Sequence, residues 1–423
     1  MLLRSLPILR MIPRPGRNRF MSSGRPQTFQ IGQGGRLVID AGEAPAVVKV
    51  TTQWVDSCNV AISKMPPGRD FDEIRDEGSD LVSTEDVEGL TLQADDALRQ
   101  VTVRHGRDRV DCEGSYLVEA VVPELFSVDV KVLRGSVCVS KKMKGDCLVQ
   151  LDEGNINIGT VRGETIRLST GNGRVDVDEL EGNVDITATS DVRARLINGA
   201  RVKIDAVGDE GPSVTVGAMY SSGAQISSTG NVRVTSCHGR IAVNTAGSSG
   251  GVDLGSVNGT AQISAGKGGA SVHMDVLEEG TASNIRSDGG DVSISLSPQV
   301  DADVDITGRT IELPPSYEGE NQLGKAAGRI NSAAVEPSRA ARYGSRRSGS
   351  KDAGGGKIDL VGARGQSLRQ YFPNDATTND VRPGLTVAAH EGSVVVGILS
   401  WADNIARKFI AREAAAGSNR GNE

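Results

Sequence analysis

From Gly135 onward the chain repeats one short pattern: a glycine, then apolar, polar and apolar positions in alternation. The units start at Gly135 (GSVCVS), Gly145 (GDCLVQ), Gly154 (GNINIG), Gly163 (GETIRLS), Gly173 (GRVDVD) and Gly182 (GNVDIT), spaced ten, nine, nine, ten and nine. Alternation of period two marks a strand with one buried face, and the glycine marks a turn. In residues 173–187, GRVDVDELEGNVDIT, this places Val175, Val177, Val184 and Ile186 inside. Gly173 and Gly182 fall at corners, and Asp176 and Asp185 face water. The leading glycines drop out through 190–228, where ARVKIDA and PSVTVGA keep the alternation. They return with GNVRVTS (230), GRIAVN (239), GVDLG (251), GTAQIS (259), ASVHMD (270) and GDVSIS (290), and ADVDITG (302–308) closes the run.

A steady step without alternating long and short spacings fits a solenoid better than a meander of hairpins. Two units, about 19–20 residues, make one coil, and coils stack ~4.8 Å apart. The expected fold is all-β: a parallel β-helix (β-solenoid) with a small N-terminal β unit and a C-terminal capping helix. The N-terminal unit, 27–134, holds the alternating runs RLVID (36–40), AVVKVTT (46–52), CNVAIS (58–63), QVTVRH (100–105), YLVEAVV (116–122) and FSVDVKV (126–132), with an acidic loop at 69–88. The β-helix repeats occupy 135–312, and GKIDLVG and GSVVVGI resume the pattern within 356–399. In the last element, 400–415, Ser400 and Asp403 make a capping-box-like start. Trp401, Ile405 and Phe409 recur there at i, i+4 and i+8 as one apolar face, expected to cover the unpaired strand edges of the last coil.

Composition narrows this further. Of 423 residues 37% are hydrophobic but only 3% aromatic, and 53 are glycine, which suits a thin, repetitive core rather than a compact enzyme core. A formal net charge of −7 gives no whole-molecule attraction to nucleic acid or to an anionic membrane. No apolar run approaches the ~18 residues of a transmembrane helix. The five cysteines (Cys58, Cys112, Cys138, Cys147 and Cys237) lack metal-type CxxC spacing and read as free thiols in a reducing compartment. His105, His238, His273 and His390 are scattered, so neither a metal site nor a cofactor is expected.

Two segments stand apart. Residues 1–26 hold six arginines and no acid, the pattern of a mitochondrial transit peptide; the expected location is the mitochondrion, in the matrix, with a cytoplasmic protein carrying an uncleaved leader as the alternative. Residues 313–355 are rich in Gly, Ser, Ala and Arg and are expected to be a disordered insertion. It is read first as a linker and second as a basic docking segment using Arg339, Arg342, Arg346 and Arg347.

The repeated G-x-V-x-V/I units, following the proline-containing lead-in VEAVVPELFSVDVKVLRGSVCVS (118–140), resemble the putative-adhesin β-helix family. That family is a domain of unknown function widespread in bacteria, with animal versions among the "family with sequence similarity" proteins. The likeness covers about 116–308 and the strands near 356–398. It implies a right-handed β-helix scaffold and no catalytic residues. The basic leader and the Arg-rich insertion are not part of the bacterial pattern and argue against a cell-surface adhesive role.

Chemistry on a β-helix needs clustered polar groups on one outward face. Arg233, Asp253, His273 and Ser293 are spaced by twenty and are expected to stack as one ladder, the best ligand-binding candidate in the chain. An Arg beside an Asp beside a His could hold an anion or orient a proton carrier. A solvated ladder of neutralising charges explains the same residues with less. The expected function is a non-enzymatic scaffold engaging a protein partner. The alternative is an enzyme or binder of carbohydrate or anionic metabolites using Arg233, Asp253 and His273.

Overall fold

The computed structural model describes residues 26–65, 90–105, 115–245, 249–298, 300, 302–312, 329–332, 366–369, 383–400, 403, 404 and 406. The protein is all-β: every bounded element among these residues is a strand. The chain divides into two compact units, Met1–Leu151 and Asp152–Glu423.

The first unit contains β1 (Gln27–Phe29), β2 (Arg36–Asp40), β3 (Ala46–Gln53), β4 (Cys58–Met65), β5 (Leu90–Asp95), β6 (Gln100–His105), β7 (Ser115–Pro123) and β8 (Ser127–Met143). β2 lies parallel between β6 and the first half of β8, and β3 lies parallel between β7 and the second half. β8 can serve both because it bends at Gly135, whose φ is +144° and where a Cβ would stand 1.8 Å from the Ala46 carbonyl oxygen. On the far edges, β4 pairs antiparallel with β7 and β1, and β5 pairs antiparallel with β6. β2 and β3 are therefore flanked on both sides by strands that come later in the chain.

β9 (Cys147–Asn172) leads into β10 (Val175–Ala188), β11 (Val192–Asn198), β12 (Arg201–Ala206), β13 (Val214–Ser228), β14 (Val232–Asn244), β15 (Val252–Ala265), β16 (Ala270–Leu277), β17 (Ala282–Ser287), β18 (Val292–Leu296), β19 (Asp303–Gly308) and β20 (Thr310–Glu312). Four further strands follow: β21 (Arg329–Ser332), β22 (Gln366–Arg369), β23 (Gly384–Ala389) and β24 (Ser393–Ile398). Two strand segments form one rung, and each segment pairs in parallel with its counterpart in the next rung. Val175, for instance, is in register with Ile156 before it and Val192 after it, and Val192 with Val214. In the second segment Leu168, Ile186, Ile204, Ile226, Val243, Ile263, Ile285, Val387 and Ile306 form one column. None of these is more than 3% exposed. This column adds one aliphatic side chain per rung to the buried interior.

Corners repeat as regularly as strands. A Cβ on Gly173 would lie 2.0 Å from the Gly154 carbonyl oxygen, and one on Gly182 would lie 1.8 Å from that of Gly163. Glycine therefore stacks on glycine where neighbouring rungs touch backbone to backbone. At the start of the first segment, Asn155, Asp191, Asn231 and Asp291 each accept the backbone N–H of the next rung, from Arg174, Ser213, Gly251 and Ser393, at 3.1, 2.9, 2.8 and 2.7 Å. These short acceptors satisfy donors that the ladder itself leaves unpaired at the corner.

The last rungs do not follow chain order. β23 pairs with β17 on one edge and β19 on the other, and β24 lies between β18 and β20 in the same way. The rung made by residues 384–398 is thus inserted before the one made by 303–312. The expectation that 302–308 closes the run is corrected: periodicity sets the length of a rung, not which rung edge a later strand will reach. β19 carries β21 and β22 on its outer edge. GKIDLVG (356–362) lies outside the described residues.

Of the expected C-terminal helix, Asp403, Asn404 and Ala406 are described and helical, while Trp401, Ile405 and Phe409 lie outside the described residues. The capping geometry is present, with Asp403 N donating to Ser400 Oγ at 3.2 Å and Asn404 N to Ser400 O at 2.9 Å. Asn404 is buried, and its Nδ2 donates to the Gly255 carbonyl at 2.7 Å. Gly255 belongs to β15, which is separated from β24 by β16 and β18. The described part of this segment therefore lies on the flank of the ladder rather than over its last rung.

Candidate functional site

The outward rows of the first ladder carry the residues singled out by spacing. Arg233 and Asp253 are in register, and Arg233 Nε lies 3.0 Å from Asp253 Oδ2. The next partner of Asp253 is Ser271, followed by Ser293 and Val395. Together they line a shallow groove of about 590 Å³ that also includes Asp291. His273 is not in this row. Val252 is in register with Ala270, a step two residues short of twenty, which sets His273 two positions further along its strand, opposite Ser295. The expected single ladder of Arg233, Asp253, His273 and Ser293 is corrected accordingly: the structure joins the first two, aligns Ser293 with them, and takes His273 elsewhere.

Where His273 lies, the ladder breaks twice. Leu254 pairs with Val272, Val257 with Met274 and Asn258 with Val276. β15 therefore carries one extra residue around Gly255 and Ser256, and β16 carries one extra residue at Asp275. Paired bulges re-aim side chains that a regular pleat would hold apart. Here they assemble a polar cluster from three strands. His273 Nδ1 lies 2.8 Å from Ser295 Oγ, and His273 Nε2 lies 3.0 Å from Asp275 Oδ1. Ser256 Oγ donates to Asp275 Oδ2. Although it stands on an outward row, His273 is only 2% exposed; beside it, Asn404 closes over Gly255.

The direction of these bonds follows from donor count. An ionised Asp275 can only accept, so it takes the Nε2 proton of His273 on one oxygen and the Ser256 hydroxyl on the other. In the neutral imidazole the other ring nitrogen, Nδ1, then carries a lone pair and accepts the Ser295 hydroxyl. Spacing alone missed Asp275, Ser256 and Ser295. The signal present was local: His273 and Asp275 stand two apart in ASVHMD, on one face of a strand.

The second ladder carries a separate groove of about 610 Å³, lined by Arg201, Lys203, Gln225, Arg240, Thr260 and Gln262 among others. Its cations are partly matched: Lys203 pairs with Asp205 at 2.5 Å and Arg240 with Glu278 at 3.5 Å.

The remaining sequence candidates are placed as follows. Val175, Val177, Val184 and Ile186 are buried, none more than 7% exposed. Asp176 is paired with Arg174 at 2.8 Å, and Asp185 lies 3.7 Å from Arg167 on the preceding rung. Cys237 and His238 lie within β14; Cys237 faces inward and its thiol pKa is pushed up to about 12 by burial. His238 faces outward and stacks on Tyr220, with ring centroids 4.7 Å apart. Arg339, Arg342, Arg346 and Arg347 lie outside the described residues. Among the described residues, no group of three or more His, Cys, Asp or Glu side chains could hold a metal ion, and no helix is long and apolar enough to cross a membrane.

No family model matches the chain, and no curated protein matches it. Two solved structures are similar at a distance. A putative lipid binding protein from Parabacteroides distasonis is 13% identical over 65% of this chain and 91% of its own, with a TM-score of 0.22. A putative cell adhesion protein from Clostridium sporogenes is 8% identical over 89% of this chain and 99% of its own, with a TM-score of 0.13. Superpositions at these scores carry no argument about this chain.

Proposed function

We propose that this protein is a β-solenoid scaffold that presents its outer sheet faces to a protein partner, and that it works in the mitochondrial matrix. The solenoid reading is supported by the parallel register of successive rungs and the aliphatic column inside them. The observation that carries the functional reading is the groove on the second ladder. Arg201, Lys203 and Arg240 stand there beside the amides of Gln225 and Gln262 over small residues such as Gly223 and Ala242. Charged donors and amides on a stiff, shallow surface are recognition chemistry for an acidic or carbonyl-rich protein segment. The rival reading, a carbohydrate or anionic-metabolite enzyme built on Arg233, Asp253 and His273, draws no support from the register, because His273 stands in another row.

The test is chemical crosslinking in isolated mitochondria, comparing the wild-type chain with an R201E/R240E variant of matched melting temperature. The reading expects a defined set of crosslinked proteins that the variant loses. Identical sets from the two chains, or none from either, would sink it. The leader reading rests on residues 1–26, and a reporter fused to residues 1–30 is expected to enter mitochondria; a reporter that stays in the cytosol removes the location.

A further inference from the structure

We propose that Ser295 is an activated nucleophile, the acceptor of a slow acyl-transfer site in which His273 is the base and Asp275 the group that positions it. The proposal stands on the bulged cluster and is independent of the scaffold reading, which rests on the other ladder.

Three observations carry it. His273 Nδ1 faces the Ser295 hydroxyl at 2.8 Å, and Asp275, 3.0 Å from Nε2, favours the neutral tautomer with its proton on Nε2, which leaves Nδ1 to accept. Asp275 is itself held by Ser256, so the base has a rigid support. The nucleophile is also reachable: Ser295 is half-buried while His273 is sealed, and the partner of Ser295 in the next rung is Gly397. A Cβ built on Gly397 would make ordinary contact, 3.9 Å from that of Ser295, so the glycine leaves about a methyl group's room beside Ser295 on that side. Ser293, two residues before Ser295 on the same outward face, lines the groove that runs past Ser271. A small carboxylic ester with a polar end fits this setting, its carbonyl at Ser295 and its polar end along Ser293 and Ser271.

In the step, Ser295 Oγ attacks the ester carbonyl carbon and its proton passes to His273 Nδ1. The C–O bond to the alcohol breaks and His273 returns the proton to the departing oxygen. An acyl ester of Ser295 and a free alcohol result. Water reverses the exchange through His273, releasing the carboxylic acid and restoring the Ser295 hydroxyl. Ser295 lies between two ladder neighbours, so its strand offers no spare backbone N–H to the developing oxyanion. Loss of such a donor costs ~10²–10³ in rate. Acylation and hydrolysis both pass through that oxyanion, so the site should do both slowly.

The experiment exposes the full chain to a fluorophosphonate probe and maps the adduct by mass spectrometry. The expected result is a single adduct on Ser295 that is lost in S295A and H273Q and kept in S227A, a hydroxyl on the other ladder. D275N, at unchanged melting temperature, should label at least tenfold more slowly. If H273Q does not fold, D275N alone decides. No adduct on Ser295, or one formed equally fast in H273Q or in a folded D275N, overturns the proposal.

Discussion

Single glycines and single carboxylates hold neighbouring rungs together, and their substitution should show it unequally. A Cβ on Gly182 would collide with the Gly163 carbonyl at 1.8 Å, and φ there is +145°, whereas Gly280, also at positive φ, has nothing within 4 Å. In urea unfolding, G182A is expected to cost about 2–4 kcal/mol and G280A about 1 kcal/mol. Asp191 accepts both the N–H and the hydroxyl of Ser213, and these bonds, the backbone one first, hold its carboxyl below the ordinary value of 3.8. A carboxyl depressed in the folded state adds stability above its unfolded pKa and loses it as pH falls through the folded one. The stability difference between the wild type and D191A should thus be about 1 kcal/mol at neutral pH, discounted for exposure, and shrink below about pH 4. Cys58, Cys147 and Cys237 are pushed up to about 12, chiefly by burial. Iodoacetamide at pH 8 should leave all three unmodified in the native protein and alkylate them in urea. In sequence, the inward valines and the corner glycines were plain because each is written into the alternation. The corner acceptors were not: Asn155, Asp191, Asn231 and Asp291 look like any polar residue before a strand, and their partners are a whole rung away.

Strands were legible one at a time, and their order was not. All six runs quoted for the N-terminal unit coincide with strands, while β1, of three residues, and β5, whose LTLQAD alternates as plainly as the others, passed unnoticed. The even spacing of 233, 253, 273 and 293 misled because rung length varies and two bulges fall between Leu254 and Val276. A bulge shifts the alternation by one residue, as between Leu254 and Val257, but that shift looks the same as a corner and does not show which strand lies opposite. The pattern also hid the position of β23 between β17 and β19 and of β24 between β18 and β20. That position makes a further prediction. A chain ending at residue 383 would leave β17 and β18 as open edges, which are templates for pairing with another chain. It is expected to self-associate in sedimentation velocity while the full chain does not. A monomeric, cooperatively melting truncation would show that the inserted rung is dispensable.

Among the described residues, charge is distributed in pairs along the outward rows. Arg162 bridges Glu179 and Glu181, both at 3.0 Å, and Arg195 reaches Glu179 at 3.5 Å from the following rung. Exposed pairs of this kind contribute ~0–1 kcal/mol each, so raising salt from 0.05 to about 0.5 M should shift the melting temperature by only a few degrees. The burden of stability falls on the aliphatic interior and on completion of the ladder, and completion has a clock. Thr310 and Ser393, hydrogen-bonded to each other in the finished protein, are 83 residues apart. At ~5–20 residues per second a ribosome needs about 4–17 s to make that stretch. Throughout that interval the β18 edge is already synthesised and its proper neighbour is not, while the strand that belongs one place further out is within reach. The protein must keep β20 from settling there, or release it again, each time it is made.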